Sequence, residues 1–471
     1  MENKTKRDLL LYNLVSDFEL MISTGNINYL EEKKYQELIH YYEEESQFDK
    51  ALEVLDHALR QFQFRSDFYI AKSRILFKQH NYAESLVILD QAETIAPFEF
   101  EIRILRAKIL AAQGEFDQAY NILEDLKTYA TPSDKIELHI CESIVHEWAN
   151  EYDAMFQSLK KALMIDPKNE IALERIWIST GLSKNFEESL LLHEIILEEY
   201  PYNYLAWYNL GHAKACVGEY ESAVDALEYS FLIQKDFELG YLDCAELCFQ
   251  LCRYEQALQI YSEANKNFGP DPELLVNIAQ CQFNISQMID AKINVKKAIK
   301  LDPYNDEAHF LLAQCYMQDE NWNKALKYLN KAVDLDDYRE EYFHALARCY
   351  MSLGEFKKTR YYYRKAAKAG LEQPIYWEEY ISFLIKIQDF KEAEKVLKQA
   401  EVHTYSEKLL YCKSILHLKR GNRNFALSCL EEALNENPDT YKFFFDLAPE
   451  YATDKQLVSL VNYFKEEYKY L

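Results

Sequence analysis

The fold is decided by a short stretch that reads Glu219-Tyr220-Glu221-Ser222-Ala223: an aromatic residue, two polar residues and a small residue. The same pattern appears in Gln47-Phe48-Asp49-Lys50-Ala51 and in Glu115-Phe116-Asp117-Gln118-Ala119. The small residue recurs twelve times between positions 51 and 426, and nine of the eleven steps between its occurrences equal the step from Ala51 to Ser85. A constant period of about 34 residues is typical of repeat proteins that stack one structural unit on the next.

Further columns of residues keep the same register. Three residues before the small residue, ten of twelve positions are aromatic, and seven residues after it nine of twelve are Ala. Each unit contains two stretches of about 14 residues with apolar positions at helical spacing. Small residues seven apart lie on one helix face and let a neighbouring helix approach closely. The columns therefore predict antiparallel helix pairs, with the aromatic residue opening the second helix and filling the wedge between the two.

The turn inside each pair carries its own signal. Gly114, Gly218, Gly354 and Gly421 all stand two residues before the aromatic position. Glycine adopts a left-handed backbone without steric penalty and commonly ends helices. We expect a left-handed residue at this turn.

One unit resembles a known family most clearly. It reads Trp207-Tyr208-Asn209-Leu210-Gly211, followed by Tyr220, Ala223 and Leu227. This is similar to the W-x2-L-G opening and the later aromatic and Ala positions of the tetratricopeptide repeat. The resemblance covers residues 32–440 and implies an all-α, right-handed superhelical α-solenoid of antiparallel helix pairs. The units are divergent.

The resemblance and the periodic columns together divide the chain. Residues 1–31 are expected to form an N-terminal capping helix, spanning Asp8 to Ser23 and closed near Gly25. Residues 441–471 are expected to form a half-repeat and a final capping helix that ends near Tyr470. The twelve predicted repeats between them are 32–65, 66–99, 100–135, 136–169, 170–203, 204–237, 238–271, 272–305, 306–339, 340–373, 374–406 and 407–440.

Composition excludes several classes of function. The chain has 471 residues, of which 53 are Lys or Arg and 78 are Asp or Glu, so its formal net charge is −25. Nucleic-acid and anionic-lipid binding both require clustered basic residues, and no long basic run occurs. No apolar stretch is long enough for a membrane span, and acidic residues interrupt the N-terminal apolar segment, so no signal peptide is expected. The ten Cys lack paired spacing, which favours reduced thiols and a cytoplasmic location.

The family resemblance also implies a partner-binding surface. In this family the first helices line a concave face, and variable positions on it bind partner peptides. Here two columns of that face are mostly apolar, with polar residues between them. Exposed apolar surface usually marks interaction sites, whereas tight superhelical coiling would bury the same residues between units; both interpretations stay open. The candidate residues are Ile70, Arg74, Phe77, Tyr208, His212, Leu242, Glu246, Phe249, Phe283, Phe310, Gln314, Met317, Arg348 and Met351.

Other candidate sites have weaker signals. His139, Glu142 and His146 have a spacing that places three zinc ligands on one helix face, but they fall on the packed face of a predicted helix. Cys281, Cys315 and Cys349 stand one period apart in a small-residue column, which indicates packing. The Lys and Asn pattern with which some family members clamp a terminal carboxylate does not occur. No catalytic or phosphate-binding motif occurs either, so we expect no enzyme activity, cofactor or metal.

These observations favour a non-catalytic scaffold or adaptor that binds a protein or peptide, a helix or a domain, on the concave face of the solenoid. We expect no nucleic-acid or membrane partner. Two alternatives stay open: a targeting or regulatory subunit of an enzyme or export complex, and a structural homo-oligomer. The partner's identity and the oligomeric state do not follow from these residues.

Overall fold

A computed structural model describes residues 2–24 and 29–467, and all regular secondary structure within these ranges is helical. The chain forms two compact units, Met1–Gly240 and Tyr241–Leu471. Consecutive helices pack in pairs through both units, as expected for the all-α repeat fold. The predicted repeat boundaries stay predictions.

Unit 1 begins with a long helix, α1, after which first and second helices of each pair alternate. The pairs are α2 with α3, α4 with α5, and so on to α12 with α13. The helices of unit 1 are α1 Glu2–Thr24, α2 Glu32–Glu44, α3 Phe48–Gln61, α4 Ser66–Lys78, α5 Tyr82–Ile95, α6 Phe100–Ala112, α7 Phe116–Lys127, α8 Pro132–Trp148, α9 Tyr152–Ile165, α10 Glu170–Ser183, α11 Phe186–Glu199, α12 Tyr204–Cys216 and α13 Tyr220–Ile233.

Unit 2 continues the alternation, and the division between the units falls inside α14. The helices from there on are α14 Glu238–Gln250, α15 Tyr254–Phe268, α16 Pro272–Asn284, α17 Met288–Leu301, α18 Asp306–Gln318, α19 Trp322–Leu335, α20 Glu340–Ser352, α21 Phe356–Ala369, α22 Pro374–Lys386, α23 Phe390–His403, α24 Glu407–Lys419, α25 Arg423–Glu436, α26 Tyr441–Leu447 and α27 Lys455–Glu467.

Several first helices contact both their own partner and the first helix of the next pair. In unit 1, α4 packs against α5 and α6, and α10 packs against α9, α11 and α12. In unit 2, α16 packs against α17 and α18, and α22 packs against α23 and α24. Within each unit successive pairs therefore stack, and apolar side chains of neighbouring pairs form shared interior clusters.

The two small-residue columns of the second helices lie at the centre of this interior. Every member is buried, with an exposed fraction of 3% or less. Because these side chains are short, the backbones of adjacent helices can approach closely. The members of the first column are Ala51, Ser85, Ala119, Met155, Ser189, Ala223, Ala257, Ala291, Ala325, Thr359, Ala393 and Ala426. The members of the second are Ala58, Ala92, Leu126, Ala162, Ile196, Ser230, Ala264, Ala298, Ala332, Ala366, Ala400 and Ala433.

The aromatic column is placed as predicted but is less buried than expected. Each of the twelve second helices starts at a residue of this column. Tyr220 and Phe356, however, are 47% and 54% exposed, and the other aromatic members are half-buried. The prediction that these rings fill the wedge between helices is wrong for Tyr220 and Phe356.

The turns between paired helices follow one backbone pattern. All twelve contain a single residue with positive φ, between 54° and 88°, two positions before the second helix. At Gly354 the amide donates to the carbonyl of Met351, and the next amide, Glu355, donates to Tyr350. These two hydrogen bonds define a Schellman C-cap. The predicted left-handed glycines are confirmed, and the non-glycine residues at the same place include His80 and Glu320.

The two ends of the chain have their own helices. α1 contains the predicted Asp8–Ser23 segment, whereas Gly25 lies outside the described residues. Near the C-terminus, a short 3-10 turn at Pro449–Tyr451 follows α26. Asp454 then caps α27, since its carboxylate accepts hydrogen bonds from the amides of Gln456 and Leu457. The predicted end at Tyr470 lies outside the described residues.

Candidate functional site

Three successive first helices of unit 2, α16, α18 and α20, form the walls of a cleft with a volume of about 490 Å³. Six of the fourteen residues that the sequence nominates line it, contributed by all three helices. The residues that line the cleft are Phe283, Phe310, Gln314, Met317, Gln318, Trp322, Glu341, His344, Ala345, Arg348, Met351 and Ser352.

The repeat itself produces the apolar part of this lining. Phe283, Met317 and Met351 are each one repeat apart, so they occupy the same position on three neighbouring helices. All three are half-buried, which leaves part of each side chain in contact with the cleft. The Phe310 ring lies on the other side, with its centroid 4.6 Å from that of Tyr342. Flexible Met and rigid Phe side chains together form a surface that adapts to apolar ligand groups.

Charged groups lie beside this apolar lining. His344 Nε2 lies 2.9 Å from a carboxylate oxygen of Glu379. Glu341 lies 3.6 Å from Arg339. By contrast, Arg348 is exposed and has no carboxylate within 4.0 Å anywhere in the described part of the chain. The cleft therefore presents a positive charge that no carboxylate contacts directly.

The His344–Glu379 contact is held by several groups. Burial raises the pKa of Glu379, but hydrogen bonds from His344 and Tyr363 and the nearby charge of Arg348 outweigh this effect and lower the pKa below its ordinary value. The hydroxyl of Tyr363 donates to Glu379 over 3.1 Å. The Glu379 carboxylate is thus paired with His344 and Tyr363, and it is ionised at neutral pH.

A second cleft of about 330 Å³ continues from the first. The two share Arg348 and Met351, which form the boundary between them. Its far side contains Lys386 and Lys408, and Lys408 lies 3.5 Å from Glu378. The combined groove runs along unit 2 from α16 to α26 and alternates apolar and charged groups.

Three other nominated residues precede this groove in unit 2. Leu242 and Phe249 are half-buried, and the Phe249 ring centroid lies 5.3 Å from that of Tyr254. Glu246 is exposed and accepts hydrogen bonds from Gln250 at 2.9 Å and Tyr261 at 3.1 Å. None of the three lines the two clefts just described.

The five nominated residues of unit 1 do not assemble into a comparable cleft. Ile70 is 3% exposed and Tyr208 is 7% exposed, so both belong to the interior and the interpretation of exposed groove positions fails for them. His212 is stacked on Trp177 with ring centroids 3.9 Å apart. The alternative, burial between neighbouring repeats, applies to Tyr208, whose ring centroid lies 4.5 Å from that of His212 and 5.0 Å from that of Phe237.

The remaining two residues of that set are partly accessible. Arg74 is exposed and lies 3.4 Å from Glu101 and 3.9 Å from Glu43. Phe77 is half-buried, and its ring centroid lies 6.3 Å from that of Trp148. The charge of Arg74 is therefore already balanced by the chain's own carboxylates.

Sequence reasoning missed part of the cleft. The aromatic column assigns Trp322 to helix packing, yet it lines the opening of the cleft from the first position of α19. The sequence feature that could have identified Trp322 is its position at the start of a helix, where part of a large side chain stays accessible. Glu341 was missed because nothing in its local sequence distinguishes it from other helix-start acids.

The possible zinc ligands have other partners. His139 Nδ1 lies 2.7 Å from Glu142, which also lies 2.6 Å from Lys127. His146 pairs instead with Glu151, at 2.8 Å. Within the ranges that the structure covers, no three His, Cys, Asp or Glu side chains are grouped to hold a metal ion.

The cysteines of the small-residue column are interior groups. Cys281, Cys315 and Cys349 are fully buried. Burial raises the pKa of these thiols to about 12, 11 and 12 respectively. The thiolate form, which is the reactive and metal-binding one, is therefore disfavoured.

Among the helices of the described residues, none combines the length and apolar character that crossing a bilayer requires.

Comparison with known proteins gives one family match and several similar structures. A family model described as tetratricopeptide repeat matches residues 287–349. This segment contains helices α17 to α19, most of α20, and four of the six nominated residues that line the first cleft. No curated protein matches the chain.

The similar solved structures are distant. A tetratricopeptide repeat protein from Parabacteroides merdae has 13% identity and a TM-score of 0.42, with 55% of this chain and 98% of that chain covered. The Cut9–Hcn1 hetero-tetramer of the APC/C has 12% identity and a TM-score of 0.38, covering 86% and 96%. YrrB, a TPR protein with an unusual peptide-binding site, has 15% identity and a TM-score of 0.33, covering 39% and 95%. At these scores the similarity says nothing about this chain's partner.

The repeated element is nevertheless defined by the chain itself. The matched segment contains one complete helix pair, α18 with α19, together with parts of the pairs on either side. The same pair, with the same buried columns and the same left-handed turn, occurs twelve times between α2 and α25. Residues 287–349 thus match the tetratricopeptide-repeat model, and the repeated helix pairs of the rest of the described chain are consistent with a divergent tetratricopeptide-repeat protein.

Proposed function

We propose that the chain is a non-catalytic scaffold or adaptor and that it binds a peptide or helix of a partner protein in the groove of unit 2. The observation that carries the proposal is the convergence of Phe283, Phe310, Met317 and Met351 on one cleft of about 490 Å³. This volume lies within the range of small ligand sites, and an apolar lining with a few polar groups is their usual composition.

The polar groups of the cleft indicate what the ligand carries. Arg348 has no acidic partner among the described residues, and Gln314 lies one helical turn before Met317 on the same wall. A ligand whose apolar side chain enters the cleft would therefore place its own backbone, or an acidic group, near Arg348. Binding in a preformed groove of this kind needs little rearrangement of the helices.

The compartment is part of the proposal. Cys141, Cys281, Cys315, Cys349, Cys412 and Cys429 are free thiols buried in the interior. A secreted protein with this many cysteines would ordinarily form disulfides, so the free thiols support a cytoplasmic location.

A displayed library of random peptides, selected against the full chain, tests the binding function. We expect selected peptides to lose at least about tenfold in affinity with Met317→Glu, because a buried charge opposes the apolar contact. Arg348→Ala, at an exposed position, should weaken them by several-fold without affecting the fold. Affinity is measured by fluorescence anisotropy with a labelled selected peptide.

The matched control is Ala215→Glu, which introduces the same charge at the equivalent position of α12 in unit 1. Peptide binding should be unchanged in this variant. If the library yields no enriched peptide, or if the peptides bind Met317→Glu and Arg348→Ala as tightly as the wild type, the groove is not the binding site.

A further inference from the structure

Three second helices of unit 2 carry a charge opposite to that of the whole chain. Together α17, α19 and α21 contain 13 Lys or Arg and two Asp, a net charge of +11 within a chain of −25. No basic residue of these helices lines either cleft. The basic residues are Lys292, Lys296, Lys297, Lys300, Lys324, Lys327, Lys331, Lys357, Lys358, Arg360, Arg364, Lys365 and Lys368.

The lysines of neighbouring helices converge on one pair of aromatic rings. Tyr316 and Tyr328 stack with centroids 5.7 Å apart. The ammonium groups of Lys292, Lys296 and Lys324 lie 5.8, 6.0 and 5.4 Å from the Tyr316 centroid. Helices α17 and α19 thus place their positive charges around one ring, which partly stabilises them through cation–π contact.

The next repeat has the same tyrosine stack with one lysine on it. Tyr350 and Tyr362, one repeat after Tyr316 and Tyr328, stack with centroids 5.4 Å apart. Lys358 lies 4.8 Å from the Tyr350 centroid, in the register of Lys324. The tyrosine pair recurs with the period of the fold, as do Lys324 with Lys358 and Lys297 with Lys331 and Lys365, so α17, α19 and α21 together carry a basic face.

Most of this charge has no carboxylate within 4.0 Å among the residues that the structure describes. Lys292 pairs with Asp319 at 2.5 Å and Lys358 with Glu355 at 2.7 Å. The two arginines pair with Asp389 and Glu392. Across the described residues, the other nine lysines have no carboxylate within 4.0 Å, and all nine are exposed. Crowded like charges at an exposed face attract an anionic partner more strongly than isolated lysines do.

The chemistry of the face favours carboxylates over nucleic acid. Base stacking requires accessible ring faces. The tyrosines at the centre of the lysine clusters, Tyr316 and Tyr350, are only 9% and 8% exposed, although Tyr361 on α21 is 54% exposed. Arginine is the usual residue for phosphate recognition, and both arginines here are already paired. The chain's own carboxylates, Asp319 and Glu355, bind lysines of this face directly.

A membrane surface fits less well than a polypeptide segment. An anionic bilayer would face the whole protein, whose net charge is −25, and would be repelled by it. A narrow segment can approach the basic face alone.

We propose that the basic face of α17, α19 and α21 is a second binding surface, separate from the groove, for an acidic polypeptide segment rich in Asp and Glu. The segment's carboxylates pair with the exposed lysines around the two tyrosine stacks. This surface is independent of the proposed function of the groove.

The test uses the full chain and a fluorescent oligoglutamate peptide about as long as one second helix. Binding should be measurable at about 50 mM salt and weaken as salt is raised. Lys296→Glu/Lys324→Glu/Lys327→Glu should bind at least about tenfold more weakly, because it reverses three charges around the Tyr316 stack. The corresponding triple Arg variant keeps the charges and should bind within about threefold of the wild type.

The matched control is Lys391→Glu/Lys395→Glu/Lys398→Glu on α23. It changes the net charge by the same amount on another second helix, where three Glu already balance the lysines. The control should bind oligoglutamate within about twofold of the wild type. Equal loss in both triple variants would show a general charge effect and overturn the proposal.

Two further probes distinguish the classes of partner: single-stranded oligothymidylate and vesicles containing phosphatidylserine. Tighter binding of either probe than of oligoglutamate, lost in the α17–α19 variant, would assign the face to nucleic acid or membrane instead. Thermal melting followed by circular dichroism reports whether the variants fold. Should the Glu variant melt early, the neutral Lys296→Gln/Lys324→Gln/Lys327→Gln variant replaces it, and unchanged oligoglutamate binding by that variant contradicts the proposal.

Discussion

The two units share one scaffold but differ in their surfaces. Unit 1 contains 23 basic and 43 acidic residues, a net charge of −20, whereas unit 2 contains 30 and 35, a net charge of −5. The second helices α11 and α13 of unit 1 carry eight acidic and no basic residues, while α17, α19 and α21 carry 13 basic and two acidic. The outer surface is therefore not uniformly acidic. The buried columns are the same in both units, so the residues that specify the helix pair leave the surface free to vary.

The first helices of the two units also differ, in the exposure of their side chains. In unit 1, His212 lies stacked on Trp177 and Tyr208 is buried. In unit 2, Phe283 and Met317 leave a cleft open between successive helices. The same helix positions therefore differ in exposure between the two units, although the fold is the same.

The largest expected effect tests whether the two units really share one packing scheme. Leu227 on α13 and Leu329 on α19 occupy the same position of the second helix, and both are buried. Leu→Ala at either position should lower the free energy of unfolding by about 2–5 kcal/mol, since the lost apolar contact leaves a cavity. Urea denaturation followed by circular dichroism measures both values. A loss below about 1 kcal/mol at one position only would mean that the interiors differ.

The next prediction, with a smaller effect, compares one ion-paired glutamate in each unit. Burial raises the pKa of Glu142, but hydrogen bonds from His139 and Lys127 outweigh it and hold the pKa below its ordinary value of 4.5. A carboxyl group with a lowered pKa stabilises the folded state above its ordinary pKa, and this stability is lost as the pH falls through the lower value. Glu142→Gln should therefore cost about 1.5–3 kcal/mol at neutral pH and flatten the acid-side loss of stability.

In unit 2, Glu379 has a lowered pKa for similar reasons, but its side chain is 33% exposed, against 7% for Glu142. Glu379→Gln should act in the same direction with a smaller loss, because solvent screens the charge. Melting temperatures recorded from about pH 7 to pH 3 compare the two variants. An acid limb as steep in Glu142→Gln as in the wild type would contradict the assigned role.

The smallest expected effect concerns the shared turn. Gly218 in unit 1 and Gly354 in unit 2 have φ values of +88° and +75°, and an added Cβ would meet no atom within 4 Å at either position. Gly→Ala should therefore cost only the left-handed backbone penalty, about 1–2 kcal/mol at each position. Thermal melts of the two variants should shift equally. Clearly unequal shifts would show that the turns are not interchangeable between the units.

The helix pairs could be predicted from the sequence because every pair meets the same physical demand. A small residue must stand where two backbones approach, as at Ala223 and Ala325, and this demand repeats with the period of the fold. The turn was visible only where it contains glycine. Residues such as Lys184 and Glu320 adopt the same left-handed conformation because the surrounding helices enforce it.

The candidate site was less predictable. The exposure of Ile70 or Met317 depends on the size of side chains on the neighbouring pair, which the residue's own position in the repeat does not reveal. The basic face was missed because its lysines are spaced along three helices and never form a continuous run. Only the stacking of pairs brings Lys296 and Lys324 to the same ring.

The buried cysteines make the unfolding of each unit separately observable. Cys141 lies in the interior of unit 1, and Cys315, Cys349 and Cys412 lie in the interior of unit 2, each with a pKa raised by burial to between about 11 and 12. Such thiols react with an alkylating reagent only after the surrounding helices separate. Pulsed alkylation followed by peptide mass spectrometry would therefore record, residue by residue, the order in which the stack comes apart, without any introduced label.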